Sequence, residues 1–357
     1  AESFSAEEEI VLERVRDGLM DGLPWFHQAR VKRGCRPQEI LPGARSIIAV
    51  AMSYMAEDTP QDGDALRGKV GRYAWGQDYH KVMEQRLKLF VRGLSERLEQ
   101  AVQSRVYVDT GPMLDRAVAE RAGLGWFGKN TNILTPSLGS WVLLGQIITT
   151  LELEPDTPLK KNCGDCIRCI VDCPTGAIVG PYVVDNRKCI SFLTIELRGP
   201  IPRNLRHLIG DWVFGCDICQ DVCPVNRSVP VTRDPAFQKR HDFDAPALLP
   251  LLELDEDGFR ERFRNSPIKR AKKVGLQRNV CVALGNIGDR LAIPALENAL
   301  ATKEPLVRQH AAWALGRLGG PDAEQVLQKA ILDETDPAVL EELELALSEL
   351  IAVRDPT

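Results

Sequence analysis

The sequence predicts three parts in series: a mixed α+β or α/β core, a small iron–sulfur segment, and an α-helical solenoid at the carboxyl end. Three observations carry that expectation. Strand-like and helix-like stretches alternate up to about residue 155. Eight of the ten cysteines fall between Cys163 and Cys223. Beyond Pro267 a helical pattern repeats, with Ala-Leu-Gly at 283–285 and again at 314–316. The expected boundaries are 1–155, 156–230, a linker with a basic segment at 231–276, and 277–357.

Residues 5–32 read as one or two helices. ARSIIAVAMSY (44–54) reads as a buried strand, because aliphatic and β-branched residues follow a Pro-Gly turn. From 79 to 103, apolar residues at Val82, Leu87, Phe90, Leu94 and Leu98 recur at helical spacing. RVYVDTG (105–111) is a second strand, ending at Asp109. PMLDRAVAERAGLG reads as a helix with Pro112 near its start and glycines at its end. SWVLLGQIITTLEL is the third strand. GLGWFGKN (123–130) follows a helix instead of a strand, so it fails the context required of a dinucleotide-binding loop. There is no P-loop. Asp78-Tyr79-His80 begins like the D-x-H-x-x-G signature that supplies histidine to cobalt in many corrinoid proteins. Met83 stands where that signature requires glycine, so no axial histidine is expected.

The cysteine spacing speaks for electron transfer. Cys163, Cys166, Cys169 and Cys173 form the C-x2-C-x2-C-x3-C-P run of bacterial two-cluster ferredoxins. In that run the fourth cysteine serves the other cluster. The expected sets are therefore Cys163, Cys166, Cys169 and Cys223 for one [4Fe-4S] cluster, and Cys173, Cys189, Cys216 and Cys219 for the other. The long stretch between Cys189 and Cys216 departs from a plain ferredoxin and makes room beside the second cluster. Zinc ribbons use paired C-x2-C units, and disulfide frameworks belong to small secreted domains; neither pattern fits. Cys35 and Cys281 match no motif and read as buried thiols.

No apolar run approaches the roughly 18 residues needed to span a bilayer. The acidic, amphipathic start suggests neither a secretory nor a twin-arginine signal, and a reducing cytoplasm is the expected location. A net charge of −5 argues against generic nucleic-acid binding. The distribution says more. Residues 264–278 carry six Lys or Arg and no acid, whereas 333–349 hold seven acids and no base. A basic stretch at the mouth of a solenoid suggests RNA or another polyanion.

GRYAWGQDYHKVM, VDTGPMLDRAVAERAGLGWFGKNTNIL, LGSWVLLGQI, CISFLTIELRGPIPRNLRHLIG and GCDICQDVCPVN together resemble the epoxyqueuosine reductases, cobalamin-dependent iron–sulfur enzymes of tRNA modification. The likeness runs from about residue 40 to the carboxyl terminus. It implies a cobalamin-binding core akin to that of reductive dehalogenases, a ferredoxin-like domain with two [4Fe-4S] clusters, and HEAT-like repeats. It implies base-off cobalamin with no axial protein histidine, reduced through the two clusters. The reaction it implies is opening of the cyclopentane epoxide at the wobble base and loss of water, which gives queuosine. The implied partners are a tRNA with a GUN anticodon carrying epoxyqueuosine and an external flavodoxin- or ferredoxin-type donor, with the enzyme a monomer away from membranes.

By the same resemblance Asp109 matches the proton donor, a role that calls for a raised carboxyl pKa, and Asp78 assists it. Cobalamin is expected against Gly71, Asp109, Ile133, Leu144 and Ser191. Lys69, Arg72, Arg278 and Arg308 are the expected tRNA contacts. Where the family often has an arginine, this chain has Gly34. Two other readings use the same cysteines: a reductive dehalogenase, and a two-cluster electron carrier with a docking solenoid. The first calls for a twin-arginine leader, and the second leaves the α/β core without a purpose.

Overall fold

The computed structural model describes residues 1–58 and 66–354, and they form two compact units. The first comprises residues 1–57, 75–189 and 217–239; the second comprises 58–74, 190–216 and 240–357. Each is assembled from segments distant in sequence. Among the described residues no helix is long and apolar enough to cross a membrane.

The first unit is built on a three-stranded sheet of β1 (Ser46–Ser53), β2 (Ser104–Tyr107) and β3 (Val142–Thr149), with β3 in the centre. Both pairings are antiparallel: Ser46 to Ser53 face Thr149 to Val142, and Tyr107 faces Gln146. The sheet is therefore of α+β character, without the parallel crossovers that alternating strands and helices suggest. The centre of the sheet explains why β3 is so apolar; Ile147 and Ile148 are almost fully buried.

Helix α1 (Tyr79–Arg97) lies over β3. A side chain at Gly145 would meet Leu87 at 2.9 Å and Met83 at 3.1 Å, so the glycine permits this close approach. Met83 and Leu87 are buried, but Phe90 and Leu98 from the same sequence stripe face solvent. The helix has a single buried line, because only its first half crosses the sheet. Helix α2 (Asp115–Arg121) buries Ala117, Val118 and Ala119 and stops before Gly123, whose φ is +70°. Around it pack Phe4, Val31, Cys35, Ile40 and Met113. Gly34 abuts the Pro112 carbonyl, where a Cβ would lie 1.9 Å from the oxygen. No larger side chain fits there without moving the chain.

In the second unit Lys69–Val70 pairs in parallel with Trp212–Phe214, and the helices Lys272–Ile287 (α3), Ile293–Leu300, Pro305–Leu318, Gly320–Asp333 and Pro337–Arg354 stack in sequence. The repeated Ala-Leu-Gly has a packing cause. Ala283, Leu284, Ala314 and Leu315 are fully buried. A side chain on Gly285 would strike Ala314, and one on Gly316 would strike Ala346, in each case within about 3 Å. Small residues at this period let successive helices touch along their backbones.

Candidate active site

In the first unit, His80 lies between two carboxylates. Its Nδ1 is 2.7 Å from Asp78 Oδ1 and its Nε2 is 3.1 Å from Asp109 Oδ2. The local sequence dictates this. Asp78 caps α1, its carboxylate accepting from the His80 backbone amide at 3.2 Å, which sets His80 on the first turn. Tyr79 stacks on the imidazole with ring centres 4.0 Å apart. Asp109 follows the end of β2 with φ +58°, a left-handed conformation that aspartate tolerates better than most residues. The Arg30 guanidinium donates to the Thr110 and Gly111 carbonyls at 3.2 and 2.6 Å and so ties down the loop after it.

The electrostatics follow from the contacts. Burial pulls the His80 pKa down, but the hydrogen bonds to Asp109 and Asp78 outweigh it and raise the pKa to about 9. Crowding penalises the charge on Asp109, whose side chain is nevertheless 62% exposed, and the bond to His80 overcomes that penalty and holds its carboxyl below the ordinary value. This corrects the expectation of a raised pKa at Asp109: the neighbouring cation favours the carboxylate. Asp78 is also lowered; burial pushes it up, and His80 pulls it down further. The carboxyl that does rise is Asp115, to about 7, through burial and the nearby charge of Asp109. The Gln146 side-chain amide donates to Asp115, while the Gln146 Oε1 is buried without a hydrogen-bond partner.

Cys163, Cys166, Cys169 and Cys223 line one pocket with Gly128, Lys129, Asn130 and Arg168. Lys129 Nζ donates to the Gly164 carbonyl at 2.7 Å and closes the loop over it. Burial, then Cys163, Cys223 and Cys166, push the Cys169 thiol up to about 11; thiolates so crowded call for a cation. Cys219 is pushed higher still, by burial first and then by Cys189, Asp217, Cys169 and Cys173. Its carbonyl accepts from Asn130 at 3.1 Å, and Asn132 Nδ2 lies 4.0 Å from its sulfur. Cys216 belongs to the second unit. Cys35 and Cys281 are fully buried.

The other expected site residues are spread over both units. In the first, the register that pairs Tyr107 with Gln146 brings Asp109 and Leu144 to the same end of the sheet, and Ile133 is buried in a short hairpin. In the second, Gly71 donates its amide to the Phe214 carbonyl at 2.7 Å and lies beside Gly215, where an added Cβ would make ordinary contact at 3.4 Å. Ser191 is half-buried on the helix Ile190–Ile195.

Of the expected tRNA contacts, Lys69 is the exposed one, 3.1 Å from Asp211. Arg72 is buried against Asp58 at 2.8 Å, and Arg308 forks onto Glu334 at 2.7 and 2.9 Å. Arg278 requires a correction. It is 1% exposed and donates to the carbonyls of Leu193, Leu197 and Gly199. With Asn279, which donates to Thr194 and Val213, it fastens the stretch between Cys189 and Cys216 to α3. A guanidinium inside this mesh cannot reach a phosphate.

Asp115, Gln146, Asn130 and Asn132 were not singled out from the sequence, and His80 was considered there only as a cobalt ligand and set aside. GKNTN and the DYH triplet carried the signal for three of them. Asp115 and Gln146 are ordinary letters in a helix and a strand, and only the packing makes them unusual.

Comparison with known proteins finds family matches in three stretches of the chain. A family model described as "Epoxyqueuosine reductase QueG, DUF1730" matches residues 35–110, a 4Fe-4S double cluster binding domain matches 162–226, and HEAT repeats match 269–348. The chain is 42% identical over 311 residues to an epoxyqueuosine reductase of Xanthomonas campestris, covering 85% of this chain and 86% of that one. It is 38% identical over 354 residues to that of Bacillus cereus, covering 98% and 92%. A crystal structure of epoxyqueuosine reductase with an epoxyqueuosine-modified tRNA-Tyr stem loop superposes with a TM-score of 0.92 at 35% identity, over 99% of this chain and 93% of that one. A Bacillus subtilis structure described as having its catalytic aspartate loop swung out of the active site also gives 0.92, at 34% identity over 98% and 93%.

Proposed function

The chain belongs to the epoxyqueuosine reductase family, and from that premise we infer that it reduces epoxyqueuosine to queuosine at the wobble position of tRNA. It is an oxidoreductase with two [4Fe-4S] clusters and a HEAT-repeat domain. Cys163, Cys166, Cys169 and Cys223 would hold one cluster, and Cys173, Cys189, Cys216 and Cys219 the other. The shared pocket of the first four and the crowding of Cys219 by Cys189 and Cys173 support those sets.

Cobalamin suits the residues present. Both ring nitrogens of His80 are engaged by carboxylates, so neither is left to hold a metal, and any cobalamin here would be held by other residues. Asp109, Leu144 and Ile133 of the first unit would contact it. When bound, it supplies a strongly nucleophilic reduced metal to the epoxide carbon. The chain's own task is to receive the departing oxygen with protons.

Asp109 is the proposed acid. The observation that carries this role is its exposed carboxylate beside His80, on a loop held by Arg30. Covering the site with substrate removes water from that carboxyl and favours its neutral, proton-bearing form. Asp78 acts by holding His80. Lys69 remains a proposed tRNA contact. A flavodoxin- or ferredoxin-type donor reducing a cytoplasmic monomer completes the reading. Anaerobic incubation of the cobalamin-loaded, cluster-replete protein with dithionite and an epoxyqueuosine stem loop is expected to yield queuosine. Failure to convert the base with both cofactors verified by absorbance would refute it.

A further inference from the structure

The reaction sets a proton count that one carboxyl cannot meet. Converting an epoxide to an alkene and water consumes two electrons and two protons: both C–O bonds break, and the oxygen departs as H2O. The two clusters can relay the electrons from an external reductant one at a time. A carboxylic acid at Asp109 carries one proton. A second must reach the same oxygen before the product leaves.

We propose that His80 holds this second proton and delivers it to the leaving oxygen through Asp109. This rests on the assignment of Asp109 as the acid. The path is already laid out, because Nε2–H of His80 points at Asp109 Oδ2 across 3.1 Å. Asp78 engages Nδ1 at 2.7 Å, so the ring carries a hydrogen on each nitrogen and cannot turn away. Tyr79 stacks against the ring and limits its tilt. The imidazole is 31% exposed, enough for water to recharge it after each turnover.

The step balances simply. Asp109, which takes a proton from solvent as substrate binds, gives it to the oxygen as the first C–O bond breaks, and the carboxylate then takes Nε2–H from the imidazolium. The restored acid then protonates the hydroxyl, which leaves as water. His80 recovers a proton from solvent. The surrounding charges favour that direction of supply. Asp78 and Asp109 flank the ring, Tyr79 also bonds Asp109, and Asp115 feels the charge of Asp109, while Lys81 on the same helix and Arg116 on α2 act on the carboxylates. In the free enzyme the proton therefore rests on the imidazole and the carboxylate is ionised, consistent with the raised His80 and lowered Asp109.

His80 acts through Asp109 and is a positioning and proton-supplying residue; the tests must separate that from a merely structural role. His80→Gln keeps a donor toward Asp109 but carries no transferable proton. It is expected to lower kcat about 100-fold with little change in KM, and to lack the decline in rate expected of wild type above pH about 9. Imidazole added to His80→Ala should restore turnover in proportion to its protonated form. Histidine NMR on the oxidised, cluster-replete wild type gives a readout independent of turnover: the His80 resonance should titrate near pH 9 and fall toward 6.5 in Asp109→Asn. Wild-type kcat and pH profile in His80→Gln, or a His80 resonance titrating near 6.5 in wild type, would overturn the proposal. Wild-type protein that fails to convert the base sinks the functional reading instead, and the NMR titration still decides where the proton rests.

Discussion

His80 Nε2 stands 3.1 Å from Asp109 Oδ2, joining the first turn of a helix to the loop that follows a strand 29 residues later. The pair links a strained backbone, with φ +58° at Asp109, to a rigid helix start. His80 and Tyr79 bond the Asp109 carboxylate and Arg30 bonds the carbonyls after it, and together they hold this loop.

Asp109→Asn keeps the size of the side chain but removes the acid. Both clusters and cobalamin should still bind, as judged by absorbance, while turnover falls by about 100-fold or more. Turnover equal to wild type would remove Asp109 from the chemistry.

Asp78→Asn retains a helix cap, since asparagine caps as well as aspartate, so stability should change by less than about 1 kcal/mol. His80 loses one anionic partner, and its pKa should drop from about 9. The sign follows from linkage. A histidine whose pKa is raised on folding contributes stability that is fully present below pH about 6.5 and is lost as the pH rises through about 9. The lowered Asp78 and Asp109 contribute above their ordinary values and lose that contribution in acid. Thermal melts from pH 6 to 10 should therefore show an alkaline decline in wild type that moves to lower pH in Asp78→Asn. Coincident melting curves would contradict the His80 coupling.

Cys163→Ser should remove one cluster and leave the other, halving the iron content and the visible absorbance. Iron analysis after anaerobic purification measures this directly. Full iron content would mean that Cys163 is not a ligand.

Arg278→Met should destabilise the protein by about 3 kcal/mol or more, because three carbonyls lose a charged donor inside the fold. Charge reversal at Lys269, Lys272 and Lys273 should instead leave the melting temperature nearly unchanged, while weakening tRNA affinity and flattening its dependence on salt. Equal tRNA binding at every ionic strength would exclude that basic stretch from the interface.

What could be read from the letters was whatever depends on local spacing. Cysteines three and four positions apart can wrap a cluster in only a few ways, and Ala-Leu-Gly at a period of 31 residues marks helices that touch where side chains are smallest. Asp109 was legible through a motif, and Asp78 through the triplet that contains it. Tertiary structure decided the rest, since charge and burial depend on neighbours distant in the chain. Arg278 looks like one more cation in a basic stretch until the fold surrounds it with carbonyls. Asp115 becomes a weak acid only when packed near Asp109 and against Gln146. His80, dismissed as a metal ligand from its triplet, gains its proton because the fold sets Asp109 opposite a ring that Asp78 already holds. Local spacing in the sequence marked the cysteines and a motif marked Asp109; only the fold set His80 between Asp78 and Asp109, because those contacts join residues distant in the chain.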